Sequence, residues 1–275
     1  MPPAWLDRLF EEDCLEGMRR RLPDGSVDVV VTSPPYNIGV AYADHDDNLP
    51  FESYLDWMEQ VAAQCRRVLR EDGSFFLNLG DRPSDELRSL RVAERVRGHF
   101  HLQNTIHWIK SLAAPERDVN MGHYKPVNSP RFLNNAHEYI FHFTPTGRVA
   151  LDKLSIGVPY QDKSNIGRWK AARQDRRDRG NTWFIPYETV TGAKPHPAAF
   201  PDRLPEMCIR LHGLEEERRL VVLDPFMGTG TTALAAARLG CHYVGFELSA
   251  EYLEVARRWL SGGELLGTDG AAAAA

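Results

Sequence analysis

Two short segments, far apart in the chain, carry the residue types that could do chemistry. The first is Thr32-Ser33-Pro34-Pro35-Tyr36, which ends the β-branched run Val27 to Thr32 (VDVVVT). A Pro-Pro pair after a strand is commonly no more than a rigid strand end. Here it also presents a hydroxyl, a proline carbonyl with no neighbouring N–H to compete, and an aromatic face. Two acceptors and a stacking ring suit a planar base that carries an exocyclic amino group. The second segment is Asp224-Pro225-Phe226-Met227-Gly228-Thr229-Gly230-Thr231-Thr232, with Glu247 downstream. Glycines at such a turn permit positive φ and let a ligand approach the backbone, and a carboxylate at Glu247 can accept both hydroxyls of a ribose. No Gly-Lys-Ser/Thr follows, which disfavours a phosphate-binding P-loop. Asp224 suits a cationic or ammonium-bearing ligand better than a pyrophosphate. Taken alone, Gly228-x-Gly230-x-x-Ala233 with Glu247 also fits a loose dinucleotide fingerprint, so a nicotinamide oxidoreductase stays open at this point.

The elements that must hold these segments follow from hydrophobic periodicity. Val27 to Thr32 reads as a buried strand. Phe51, Tyr54, Leu55, Met58, Val61, Ala62, Cys65, Val68 and Leu69 recur at steps of three and four, predicting an amphipathic helix closed by Asp72-Gly73. Ser74 to Leu79 is the next strand, followed by a helix from about Ser84 to Arg97, then strands over Leu102 to Ile109 and His137 to Phe143. Toward the C-terminus the pattern predicts a strand over Leu220 to Leu223, the Gly228–Gly230 turn, a helix over Thr231 to Leu239 and a strand over Tyr243 to Phe246. A last helix runs to about Leu260, capped by Ser249. Short apolar runs alternating with amphipathic helices predict an α/β fold with a mostly parallel sheet. In such a sheet, glycine turns at strand carboxyl ends form the binding crevice.

Composition excludes several classes. The chain has 275 residues, 43% of them hydrophobic and 26% charged, which rules out wholesale disorder, collagen and a disulfide scaffold. No stretch approaches the roughly 20 apolar residues a bilayer crossing needs. Met1 to Phe10 show no basic stretch followed by an apolar run. Cys14, Cys65, Cys208 and Cys241 never form C-x-x-C, so reduced, mostly buried thiols in a cytoplasmic protein are expected, with no zinc site. The net charge of −5 leaves no uniformly basic coat. Residues 161–180, however, hold seven basic side chains (Lys163, Arg168, Lys170, Arg173, Arg176, Arg177, Arg179) against three acidic ones (Asp162, Asp175, Asp178). Taken alone this is a solvated surface loop.

Together, the two segments resemble the amino-group DNA methyltransferases that use S-adenosylmethionine, the N4-cytosine and N6-adenine enzymes. In that family a (Ser/Asp/Asn)-Pro-Pro-(Tyr/Phe) catalytic motif pairs with a D-P-F-x-G-x-G-T cofactor motif. His196-Pro197-Ala198-Ala199-Phe200-Pro201 resembles its H-P-A-x-F-P segment, and Gly245-Phe246-Glu247 its ribose-binding G-x-E. Glu12-Asp13-Cys14-Leu15 resembles an early G-D-C-L element with Glu12 in place of the glycine, and His137-Glu138-Tyr139 sits where the family carries a similar strand. The likeness spans about residues 9–260, and the catalytic-first order is that of the family's β arrangement.

The resemblance implies a Rossmann-like sheet, mostly parallel with one antiparallel strand and with helices on both faces. It implies Ser33, Pro34, Pro35 and Tyr36 as catalytic residues, with Tyr36 stacking on a base rotated out of the duplex. It implies Asp13, His196, Phe200, Asp224, Pro225, Phe226, Gly228, Thr229, Gly230, Thr231 and Glu247 as the S-adenosylmethionine site. Arg168, Lys170, Arg173, Arg176 and Arg177 become candidate DNA contacts, with Trp169 or Trp183 as wedges and Lys110 to Arg131 as a second DNA-facing loop. Residues 1–143 would form the catalytic half, 144–192 a target-recognition segment, 193–262 the cofactor half and 263–275 a disordered tail. Serine at the first motif position is typical of the N4-cytosine members, with N6-adenine the alternative. Double-stranded DNA, a cognate restriction enzyme and a homodimer are the expected partners. An oxidoreductase would leave SPPY unexplained, and a non-catalytic DNA-binding protein would not need both motifs intact.

Overall fold

The computed structural model describes residues 3–39, 47–122, 126–166, 174–186 and 200–262. The chain begins with β1 (Arg8–Glu11), α1 (Cys14–Arg21), β2 (Val27–Thr32), α2 (Phe51–Val68), β3 (Leu69–Leu79) and α3 (Arg88–Val96). It continues through β4 (His101–Ile109), the hairpin β5 (Ser111–Ala114) and β6 (Val119–Gly122), β7 (His137–Thr144) and β8 (Thr182–Phe184). It ends with α4 (Arg203–His212), β9 (Val221–Asp224), α5 (Thr231–Arg238), β10 (His242–Glu247) and α6 (Ala250–Leu260). Eight strands form one sheet in the order β1-β10-β9-β2-β3-β7-β4-β8. Within it β7 runs against both its neighbours and the other pairings are parallel, as the resemblance implied.

Alternation along the buried strands sends side chains to two cores. Val27, Val30, Phe75 and Leu77 pack under α1, α2 and α3, whereas Val29, Val31 and Phe76 pack with α4 and α5 on the other face. Burying each such side chain stabilises the fold by roughly 1.5–3 kcal/mol, so the positions of β2 and β3 are over-determined from both sides.

Chain direction reverses at the middle of this sheet. From β2 the chain crosses through α2 to β3 on one side; from β9 it crosses through α5 to β10 on the other. Right-handed crossovers leaving in opposite directions put their helices on opposite faces and open a crevice beyond the carboxyl ends of the two central strands. β2 and β9 are paired directly, Val29 with Val222 and Val30 with Leu223. The two chemistry-bearing segments therefore emerge side by side.

Several elements differ from the sequence expectation. The helix expected to close at Asp72-Gly73 ends at Val68 and passes straight into β3. Gly73 lies where the β2–β3 register shifts, and a Cβ there would stand 2.7 Å from Leu69 Cγ and 2.9 Å from the Asp28 carbonyl oxygen. It is a bulge glycine, not a helix stop. The helix expected from Ser84 starts at Arg88, because Asp81, not Ser84, accepts the Ser89 amide at 2.6 Å. Periodicity does not predict β1, α1, the β5–β6 hairpin, β8 or α4. Thr182–Phe184, inside the segment read as variable, adds an edge strand to the main sheet beside β4. Among the described residues, no helix is long and apolar enough to cross a membrane.

Candidate active site

The first link between the motifs is a hydrogen bond. Thr32, the last residue of β2, donates its hydroxyl to Asp224 Oδ1 at 2.5 Å across 192 residues of chain. Thr232 in α5 donates to Asp224 Oδ2 at 2.7 Å, and the Phe226 amide reaches Oδ1 at 3.0 Å. Asp224 is 1% exposed. Burial pushes its carboxyl up to about 6, opposed in part by the hydroxyls of Thr32 and Thr232. The Asp224 carboxylate is thus a bracket that fixes the start of SPPY against the start of the glycine turn. A second bridge is aromatic: Phe226 lies 5.2 Å from Trp57, which lies 5.8 Å from Tyr54. The Tyr54 hydroxyl donates to the Pro35 carbonyl at 2.8 Å.

The glycine turn is shaped for close approach. Gly228 and Gly230 have φ of 52° and 90°. Glu247, the last residue of β10, accepts the Gly228 amide at 2.8 Å through one oxygen and the Ser249 amide at 2.9 Å through the other. Each oxygen keeps a lone pair for a further donor. Thr229 is buried, and its hydroxyl oxygen has no hydrogen-bond partner; a buried polar atom of this kind is one a polar ligand can satisfy. Pro225 is buried and Phe226 half-buried, and Thr231 opens α5. Asp13 caps α1, its Oδ1 accepting the Leu15 and Glu16 amides at 3.0 and 3.1 Å. It follows β1, which pairs in parallel with β10 beside Glu247. Phe200 packs, half-buried, against the α4–α5 core. His196, Arg168, Trp169, Lys170 and Arg173 lie outside the described residues.

Around SPPY the structure assembles a polar cluster that the motifs alone did not reveal. Ser33 Oγ lies 2.8 Å from the Tyr36 hydroxyl, which donates to Glu138 Oε2 at 2.9 Å. Asn78 Nδ2 lies 2.6 Å from the Tyr36 oxygen, 2.7 Å from Glu138 Oε2 and 3.3 Å from Ser33 Oγ. Lys110 Nζ pairs with Glu138 Oε1 at 2.8 Å. Three strands bring these side chains together. Asn78 is next to last in β3, Lys110 follows the end of β4, and Glu138 is second in β7, which begins at this edge because it runs antiparallel. One sequence signal pointed here, the single asparagine interrupting the apolar run SFFLNL.

Other candidates fall elsewhere. Arg176 and Arg177 are exposed, Arg176 donating to the Leu154 and Ser155 carbonyls and Arg177 pairing with Val158. Trp183, read as a possible wedge, is 1% exposed with its indole N–H on the Gly180 carbonyl at 3.0 Å. It belongs to the core and cannot stack on DNA. The four cysteines are free and buried, and burial pushes each thiol up, which suits packing and not nucleophilic attack.

Fold and site define a class: an open α/β sheet whose switch-point crevice joins the Ser-Pro-Pro-Tyr loop to a glycine-rich turn. The DNA methylase family of N6 and N4 enzymes matches residues 27–258 of this chain. The chain belongs to that family. It is 30% identical to the type II methyltransferase M.BglII of Bacillus subtilis, over 95% of this chain and 71% of that protein. It is 28% identical to the type II methyltransferase M.Cfr9I of Citrobacter freundii, over 92% and 87%. Among solved structures, the PvuII cytosine-N4-specific DNA methyltransferase superposes with a TM-score of 0.68 at 24% identity, covering 93% of this chain and 87% of that one. A putative DNA modification methylase from Thermus thermophilus, complexed with S-adenosyl-L-methionine, gives a TM-score of 0.62 at 27% identity, covering 93% of both chains.

Proposed function

We propose that this DNA methyltransferase transfers the methyl group of S-adenosyl-L-methionine to the N4 amino group of cytosine within a specific double-stranded sequence. The observation that carries the reading is the Thr32–Asp224 hydrogen bond, which sets the amino-binding loop against the cofactor turn. The choice of cytosine rests on Ser33, since serine at this position marks the N4 members of the family the sequence resembles.

When bound, S-adenosylmethionine supplies an electrophilic methyl carbon on a sulfonium. The residues present fit it: Glu247 keeps acceptors for ribose hydroxyls, the buried Thr229 hydroxyl lacks a partner, and the turn at Gly228 and Gly230 opens its backbone. We assign Asp13, His196, Phe200, Asp224, Pro225, Phe226 and Thr231 to the same cofactor from the motifs they belong to. Ser33 Oγ and the Pro34 carbonyl accept the two amino hydrogens of the target. Those two acceptors would orient the nitrogen lone pair and stabilise the positive charge that builds on it, the N–C bond forming as the S–CH3 bond breaks, with S-adenosylhomocysteine leaving and one amino proton passing to solvent. Tyr36 stacks on the rotated base, its ring held by a hydroxyl tied to Glu138 and Asn78. The main effect is proximity and orientation, worth up to about 7–11 kcal/mol in well-aligned reactions. We assign residues 144–192 to target recognition, with Arg168, Lys170, Arg173, Arg176 and Arg177 on phosphates or bases, and methylation to protection against a restriction enzyme of the same specificity.

The test is long-read methylation profiling of DNA from cells expressing the chain, with nucleoside mass spectrometry on the same DNA. N4-methylcytosine in one sequence context is expected. N6-methyladenine alone would refute the choice of base, and no methylated base on any DNA would refute the function.

A further inference from the structure

We infer that Glu138 is a positioning residue that sets the direction of the hydrogen-bond chain through Tyr36 to Ser33, and thereby makes the site accept an amino base and reject a keto base. The inference rests on the functional reading above and concerns how the same site selects its substrate.

The number of hydrogens available fixes the direction of each bond. An ionised carboxylate only accepts. Glu138 takes Lys110 Nζ on one oxygen and the Tyr36 hydroxyl and Asn78 amide on the other. Tyr36 has one hydroxyl hydrogen, and it points at Glu138. The 2.8 Å contact between Ser33 and Tyr36 must then be donated by Ser33. The Asn78 amide, facing the same carboxylate, turns its nitrogen inward: one of its two hydrogens goes to Glu138 and the other to the Tyr36 oxygen 2.6 Å away, reinforcing that sense. The Ser33 hydrogen is therefore committed, and Oγ offers a lone pair to whatever enters. An exocyclic amino group donates to it. A carbonyl at the same position of the base, as in uracil for cytosine or hypoxanthine for adenine, meets acceptor with acceptor.

A glutamine at position 138 removes the polarity. Its amide can donate to the Tyr36 oxygen, freeing the Tyr36 hydrogen for Ser33 and the Ser33 hydrogen for the ligand. The shape and the stacking ring stay, but the rule for which base fits is lost.

The experiment uses the full chain with S-adenosylhomocysteine bound and two duplexes of the site found by profiling, one with the natural target base and one with its keto analogue. Dissociation constants for both give an amino-over-keto ratio, and single-turnover methylation of the natural duplex gives the rate. For Glu138→Gln we expect the ratio to fall roughly 10–100-fold and the rate to fall at least as far. Cofactor affinity should stay within about twofold, because the hydrogen bonds of Glu138 go to Tyr36, Asn78 and Lys110 and those of the glycine turn to Glu247. Glu138→Asp, still acceptor-only, should keep the ratio. Tyr36→Phe, which keeps the stacking ring but breaks the chain, should lose it, and it reads the same relay if the glutamine variant does not fold. Because the ratio compares two ligands on one folded protein, a merely structural role does not move it. A wild-type ratio in Glu138→Gln, or in Tyr36→Phe, overturns the inference. A wild-type protein that methylates no duplex overturns the functional reading instead.

Discussion

Replacing Asp224 by asparagine tests the bracket between the two motifs through the pH dependence of stability. In the folded protein the Asp224 carboxyl is pushed up to about 6 from an ordinary 3.8 by complete burial. A rise of about two units corresponds to about 3 kcal/mol of differential interaction between the protonated and ionised forms. The native state holds this proton more tightly than the unfolded chain does. The stabilisation is therefore fully present below pH 3.8 and is lost as pH rises through about 6. Asparagine stays neutral throughout. Its oxygen can still accept from Thr32, and Thr232 can turn its hydroxyl toward the Val31 carbonyl, 3.5 Å away, to receive the amide. The stability of wild type minus that of Asp224→Asn should thus fall by about 2.5 kcal/mol between about pH 4 and pH 7.5. That is on the order of 1 M in a urea midpoint. Groups common to both proteins cancel in the difference. Reversible urea unfolding across that pH range suffices, and a difference flat to within about 0.5 kcal/mol would refute the burial argument.

Other substitutions probe the remaining parts. Ser33→Ala and Tyr36→Ala should each lower single-turnover methylation by about 100-fold or more while leaving cofactor affinity within about twofold by calorimetry; wild-type turnover in either would displace the assigned site. Gly230→Ala places a Cβ 2.7 Å from that of Ala256 at a φ of 90°, and should destabilise by about 1–3 kcal/mol in thermal unfolding. His142, with its ring nitrogens on the Asn104 amide and Ser74 hydroxyl, is held down to about 3 by burial and by His212. Its contribution is complete above about pH 6.5 and is lost as pH falls toward 3, so the acid limb of stability should flatten in His142→Gln.

What the sequence disclosed has a physical pattern. SPPY and the glycine turn were legible because each interrupts a β-branched or apolar run with residues that cannot continue a strand. Such interruptions at a carboxyl edge are where an α/β sheet keeps its ligands. Glu138, Asn78 and Lys110 were not legible as a unit. Each is one polar residue on a different strand, and they meet only through the β3–β7–β4 register, which the periodicity of a single strand does not specify. Asp224 was found but its surroundings were not. A carboxylate at a turn reads as a ligand contact, and nothing in the turn itself discloses that it also ties together two threonines from different elements. Gly73 illustrates the converse error, since Asp-Gly after an amphipathic helix has the local chemistry of a stop, and only the pairing with β2 shows a bulge.

The order of the motifs along the chain is immaterial to the chemistry, and the sheet explains why. A switch-point crevice requires two adjacent parallel strands whose crossovers leave in opposite directions; it does not require that the cofactor strand come first. Here β2 comes near the start and β9 near the end, so their pairing closes a loop of almost the whole chain. The SPPY segment and the glycine turn can face each other only after β9 has inserted between β2 and β10. The Thr32–Asp224 bond, buried and spanning 192 residues, therefore reports completion of the central sheet and assembly of the site in one event. Closing a loop of this length carries an entropy cost that must be met before the contact forms, and such long-range pairing slows folding. A chain truncated before β9 would retain SPPY, Asn78 and Glu138 in sequence, yet lack the carboxylate that holds Thr32 and the turn that completes the crevice.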